Sequence, residues 1–278
     1  MRGAALTRPT LFLAATLLAS FPVEAAAQLR PYEPFDWALF DGTPTLSARA
    51  GNEILWGQRA SLVGAEGRLV ELGRFSVAFR AGRVAIEAGG TLRRYFQPNG
   101  TFTAPAPGVA GDPTSDRSDS GDYTIATVIR LTPAAGPAIA TLRFGTRLPT
   151  TDNRVGLERD QTDFFALLGG RADRGNLRAT AELGVGLHGT RMPDYEQSDV
   201  LVFVTGLAWR AGAVRPSLLL LGHADGLADR HVRGNEELAE VRLRLRTGSS
   251  NWLQVEAIRG LLPFSPSAGL SIAAGLTR

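Results

Sequence analysis

Cysteine is absent from the 278-residue chain, and its 30 basic residues are all arginine, with no lysine among them. The first absence excludes disulfides, thiolate zinc sites and a cysteine nucleophile. The fold must therefore be held by packing, ion pairs and hydrogen bonds. The basic residues are nearly matched by 27 acidic ones, for a net charge of +3. So small an excess, with no basic run interleaved with aromatics, argues against a nucleic-acid partner. Histidine is scarce: His188, His223 and His231 are all there are. Asp194, Asp225 and Asp229 stand near them in sequence, but the spacing matches no metal motif, and neither metal nor cofactor is expected. Beyond residue 27 no run of 18 apolar residues occurs, which excludes a helical membrane protein.

What is present begins with an export signal. Arg2 and Arg8 form a positive n-region, and Thr10–Val23 forms an apolar h-region interrupted by Pro22. Ala25 and Ala27 stand in the A-x-A arrangement, which places cleavage after Ala27. The expected division is signal peptide 1–27, periplasmic segment 28–52 and barrel 53–278, with a run at 44–50 as an alternative or extra first strand.

The rest of the chain alternates with period two. In ELAEVRLRLRTG, Val241, Leu243 and Leu245 point one way, and Glu240, Arg242, Arg244 and Arg246 the other. In NLRATAELGVGLHG, the apolar series from Leu177 to Leu187 opposes Arg178 and Glu182. In RVAIEAGGTLRRYF, Val84, Ile86 and Leu92 oppose Glu87 and Arg93. In PAIATLRFGTR, Leu142 and Phe144 oppose Arg143 and Arg147. Wound as helices, these segments would scatter their charges around the cylinder. Extended as strands, they sort them onto one face. About twelve such segments follow one another, with a bulge expected near Gly73, where the alternation breaks.

The connections alternate as well. Ala81-Gly82, PAAG (133–136), DRG (173–175), AGA (211–213) and TGSS (247–250) are turn-sized and carry glycine. Between them lie the longer stretches 96–121, 148–160, 188–198 and 225–235. In an up-and-down sheet, odd and even connections lie at opposite ends. Tight turns at one end and loops at the other are the asymmetry of an outer-membrane barrel, and segments of this length suit a tilted bilayer crossing. The fold class expected is therefore all-β: a transmembrane, antiparallel, up-and-down barrel of about twelve strands. A soluble secreted β protein would alternate too.

Four runs, LRFGTRLPTTDN, GLERDQTDFFALLGG, LRATAELGVGLHG and QSDVLVFVTGLAWR, resemble outer-membrane proteins of the family labelled "MetA-pathway of phenol degradation". The resemblance covers roughly 140–210 and implies a porin-like barrel for small or aromatic solutes. It supplies no catalytic residues. The chain departs from many outer-membrane barrels in ending on Arg278 rather than on an aromatic residue.

The expected function is passive passage of small solutes, aromatic or anionic ones included. Arg242, Arg244, Arg246, Glu240, Arg178, Glu182, Arg143, Arg147, Glu87 and Arg93 are the candidate lumen lining, with Arg215 and Glu256 sharing their parity. Arg94 and Arg259 fall off this pattern and are expected near a membrane interface, since a charge at the lipid midplane costs a few kcal/mol. The expected surroundings are outer-membrane lipid and lipopolysaccharide, the barrel-assembly machinery and the solutes themselves. The alternatives are a sealed structural or surface-interaction barrel, a lipid-modifying enzyme and a periplasmic ligand carrier. The chain offers no His-x-Ser pair, so no catalytic role is expected.

Overall fold

The computed structural model describes residues 30–133, 136, 138–158, 161–189, 198–224 and 237–278. The signal segment, His231, Asp194, Asp225 and Asp229 lie outside the described residues.

Among the described residues, a 3-10 turn, Trp37–Phe40, is followed by thirteen strands: β1 Leu46–Ala60, β2 Ala65–Ala81, β3 Val84–Thr101, β4 Arg117–Asp119, β5 Tyr123–Arg130, β6 Ala138–Leu148, β7 Asp163–Arg174, β8 Leu177–His188, β9 Ser198–Trp209, β10 Val214–Ala224, β11 Leu238–Gly248, β12 Asn251–Gly260 and β13 Ala268–Thr277. Short β4 lies within the longest connection and pairs only with the end of β3. The other twelve pair antiparallel with their neighbours, and β1 closes the ring against β13 from Ser47–Thr277 to Trp56–Ala268. The closed barrel has no unpaired edge to present to lipid or to another chain.

The alternation decides what fills the inside. Every strand of the ring turns large apolar side chains outward: Trp56, Phe79, Ile86, Ile125, Phe144, Leu168, Leu183, Leu207, Leu218, Leu243, Leu253 and Ile272 are examples, one per strand, all exposed. The inward face carries the charges, with Glu53, Glu71, Arg143, Glu182, Glu240, Arg242 and Glu256 all buried. A soluble protein sorts these faces the other way. An apolar belt on all sides of a closed barrel is a surface made for hydrocarbon.

The turns joining β2 to β3, β5 to β6, β7 to β8, β9 to β10 and β11 to β12 lie at the same end as the start of β1 and the close of β13. By the rule that short turns are periplasmic, this is the periplasmic end. At the opposite end, residues of three connections meet: the Ala106 N–H donates to the Leu62 carbonyl, and Arg117 donates to the carbonyls of Ala110 and Val155. Val63 and Leu157 from these connections pack onto the inward-facing Leu55, Leu69, Phe96 and Ile258. They form an apolar cap over that side of the outer mouth.

Two glycines break the alternation. Gly57 and Gly73 have φ of +60° and +64°, a region open mainly to glycine. Each sits in a bulge, where the β1–β2 register slips between Gly51 and Glu53 and between Leu55 and Gln58. The Gly73 bulge lets both Glu71 and Arg74 face inward, although three residues apart. On β3 the same phase change leaves Leu92 and Arg93 both outside. This corrects the expectation for two arginines. Arg93 does not line the lumen; it is exposed, donating to Ser118 Oγ and standing over the Tyr95 ring. Arg94 turns inward and is buried between Glu71 and Glu158. Arg259 stays outside at the outer end of β12, donating to the Ser267 carbonyl.

A Cβ on Gly73 would lie 2.7 Å from Leu92 Cδ1, on a backbone that side chains rarely adopt. Gly73→Val is therefore expected to cost about 1–3 kcal/mol. Urea unfolding of the detergent-folded barrel, followed by loss of its heat-modifiable gel mobility, measures this.

Candidate functional site

The lumen is not empty. The stretch expected as a periplasmic segment is divided in two: residues 46–52 already belong to β1, and of residues 30–45 the part 30–40 runs inside the barrel while 41–45 leave it at the mouth where β1 begins. Its sequence, RPYEPFDWALFDGTPT, suits this place. Pro31 and Pro34 lack an N–H, so fewer donors go without a strand partner. Asp36 caps the 3-10 turn, its Oδ1 accepting from the Ala38 N–H at 3.1 Å. Phe35, Trp37, Leu39 and Phe40 fill a socket formed by Ala78, Ala85, Val128 and Ile139. Small residues on the wall make the room: a Cβ on Gly169 would come within 3.2 Å of the Trp37 ring. Burying these four side chains contributes about 2 kcal/mol each.

Ion pairs hold the plug at three heights. Uppermost, Arg30 pairs with Glu53 at 2.5 Å and Glu240 at 2.7 Å. Tyr32, on Phe165, carries the Arg147 guanidinium over its ring at 4.5 Å, with His188 Nε2 3.2 Å from its hydroxyl. Midway, Glu33 accepts from Arg74 at 2.5 Å and Arg242 at 2.8 Å, with Arg49 at 3.4 Å. Glu182 accepts the Phe35 N–H, and Arg143 bridges Glu182, Glu87 and the Glu33 carbonyl. Lowest, Asp41 holds Arg171 at 2.5 Å and Arg178 at 2.8 Å. Arg242 is the most deeply placed of the wall arginines, fully buried between Glu33 and Glu240.

Arg143, Arg147, Arg178, Glu87, Glu182, Glu240, Arg242, Arg244 and Arg246 thus all stand on the inner face. Most of them grip the plug or one another. The plug itself was not anticipated. A signal was there: four aromatics and three carboxylates within residues 32–41, a composition complementary to an arginine-lined wall.

Burial pushes the Glu33 carboxyl up, but Arg242, Arg74 and Arg49 pull it down by more, so it rests well below its ordinary 4.5. A group lowered on folding contributes stability that is present above the ordinary value and lost only as pH falls through the lowered one. Plug seating through Glu33 is therefore expected to hold from neutrality down through pH 5. Accessibility of a cysteine introduced at Ala38 to a water-soluble maleimide should be equal at pH 7 and pH 5.

His188 and His223 are also inside, fully buried at the outer ends of β8 and β10, their rings edge to face at 5.6 Å. Among the described residues no group of three or more His, Cys, Asp or Glu could hold a metal ion.

Between the plug and the wall remains a cavity of about 600 Å³. Ser47, Thr180, Ser217 and Gln254 line it, and Ser249, Ser250 and Thr277 carry it to the periplasmic turns.

No family model and no curated protein matches the chain in sequence. In structure, 84% of it superposes on 95% of an outer membrane channel from Pseudomonas putida F1, with a TM-score of 0.58 at 12% identity. The chain has the closed antiparallel β-barrel fold of that outer-membrane protein. The barrel is more loosely similar to outer membrane phospholipase A from Escherichia coli, with a TM-score of 0.42 at 10% identity over 86% of this chain and 95% of that one. OmpT, an outer membrane protein of Vibrio cholerae, gives 0.39 at 10% over 85% and 99%. At these identities the likeness is one of fold.

Proposed function

We propose that the barrel is a narrow channel through which small solutes cross the outer membrane passively. The resemblance of residues 140–210 to the "MetA-pathway of phenol degradation" family points the same way. The observation that carries this reading is the cavity of about 600 Å³ beside the plug, lined by charged, polar and apolar side chains and continuous with the periplasmic turns. A barrel built only as a scaffold gains nothing from leaving it unfilled, since each lost contact costs packing energy. In this reading the chain is exported by a signal cleaved after Ala27 and inserted by the assembly machinery into a membrane bearing lipopolysaccharide. No cofactor and no catalytic step is part of it.

The apolar cap of Val63, Leu157 and Phe96 favours a second reading, a sealed barrel serving structure or surface contact. Planar-bilayer recording of the refolded mature protein separates the two. Discrete conductance steps support the channel. Silence from protein shown to be folded and inserted supports the sealed barrel.

A further inference from the structure

Most arginines inside the barrel meet a carboxylate. Arg215 and Arg246 do not: among the described residues neither has one within 4.0 Å, although they stand directly opposite each other on β10 and β11. Like charges so placed on neighbouring strands repel and destabilise the sheet. Ser217 and Arg244 form the next inward-facing pair, so three guanidiniums gather on one patch of wall. Arg49 faces the same cavity from β1. The carboxylates nearby are spoken for. Glu256 accepts from Arg244 and Gln254 and lies 3.8 Å from Arg49. Asp36 accepts from Ser47 and from the Ala38 N–H. Glu33 is shared among Arg49, Arg74 and Arg242. Meanwhile Arg215 Nε, Arg244 Nη2 and Arg246 Nε are buried donors that meet no hydrogen-bond acceptor among the described residues. Leaving a charged donor unsatisfied is expensive.

We propose that Arg215, Arg246 and Arg244 form an anion site at the periplasmic half of the lumen, made for a small organic carboxylate. A carboxylate matches the planar fork of a guanidinium and would screen the Arg215–Arg246 repulsion. The apolar part of the ligand has surfaces to lie against: the Trp252 ring, which already stacks under Arg246 at 3.9 Å, and Leu219. This deepens the channel reading by naming a solute class, and rests on it only in requiring that the cavity be reachable from water.

The test is titration calorimetry on the mature protein folded in zwitterionic detergent, a measurement independent of conduction. The probes are butyrate, its neutral isostere butyramide, and inorganic phosphate. Butyrate is expected to bind and butyramide not. Arg215→Gln and Arg246→Gln are each expected to weaken butyrate at least about tenfold, while Arg259→Gln, outside the barrel, leaves it unchanged. Each lumen variant should also unfold later than the parent when no anion is present, because a repulsion has been removed, and should lose the protection that butyrate gives. Equal binding of butyramide, undiminished butyrate binding by the variants, binding of phosphate alone, or no butyrate binding would overturn the site. A silent bilayer with intact butyrate binding would remove the channel and leave the site standing.

Discussion

Deleting residues 28–44 is expected to raise the unit conductance severalfold while the barrel stays folded. The ring does not need the plug for its own hydrogen bonds. Its closing ladder begins at Ser47–Thr277, and Thr45 and Leu46 donate to the Arg278 carbonyl just beyond the deletion. The wall charges also remain partnered when the plug leaves. Arg74 keeps Glu53 and Glu71, Arg94 keeps Glu158, Arg143 keeps Glu87 and Glu182, and Arg242 keeps Glu240. What is lost is the aromatic filling, and water takes its place in a lumen of twelve-strand width. Stability should drop, since the socket of Ala78, Val128 and Ile139 becomes wet. Bilayer recording of the deletion beside the parent checks the prediction. A folded deletion variant with the parent's conductance would show that the plug does not limit passage.

Arg242→Ala is expected to be the most damaging single substitution in the lumen, costing about 3–5 kcal/mol. Its guanidinium is wholly buried and reaches Glu240 and Glu33 at 2.8 Å, with Glu256 at 3.8 Å. Truncation leaves Glu240 with Arg30 alone and takes from Glu33 its main cation. The fully buried Glu240 and the partly buried Glu33 then lack full compensation. Pairing Arg242→Met with Glu240→Gln should recover part of the loss, because charge and countercharge leave together. Urea titration of the folded, detergent-bound protein reads both. A single variant within 1 kcal/mol of the parent, on the scale that exposed pairs contribute, would mean that water reaches this network freely.

The ring was legible because membrane strands must satisfy two solvents at once. ELAEVRLRLRTG can be laid down in only one way that keeps Arg242, Arg244 and Arg246 out of lipid, and β11 runs as that alternation requires. Turn residues then bounded the strands. Two features escaped the same logic. Arg93 and Arg94 are adjacent charges, and alternation alone would send one of them into hydrocarbon. The bulge at Gly73 had been expected, but its carry-over to the neighbouring strand at Leu92 was not, and that step decides which arginine turns inward. The plug escaped because residues 30–45 have no period. They are placed by complementarity to a surface that exists only once the strands have met. Arg215 had the right parity, but its lack of a carboxylate is a fact of three dimensions.

The seating of the plug also bears on the order of events during assembly. Residues 30–45 precede every strand in the chain, yet Arg30 makes its contact with Glu240, 210 residues away. That partner reaches its place only after β11 has joined the growing sheet. Until then the earliest part of the chain waits with its aromatics uncovered, and Glu53 and Glu71 lack one of their cations. Contacts of such separation are slow to form, because the loop entropy is spent before they return anything. The pairing of β1 with β13 and the docking of residues 30–45 are therefore expected to share one late, rate-limiting step. A newly inserted barrel would pass through an interval in which it is threaded but still ajar.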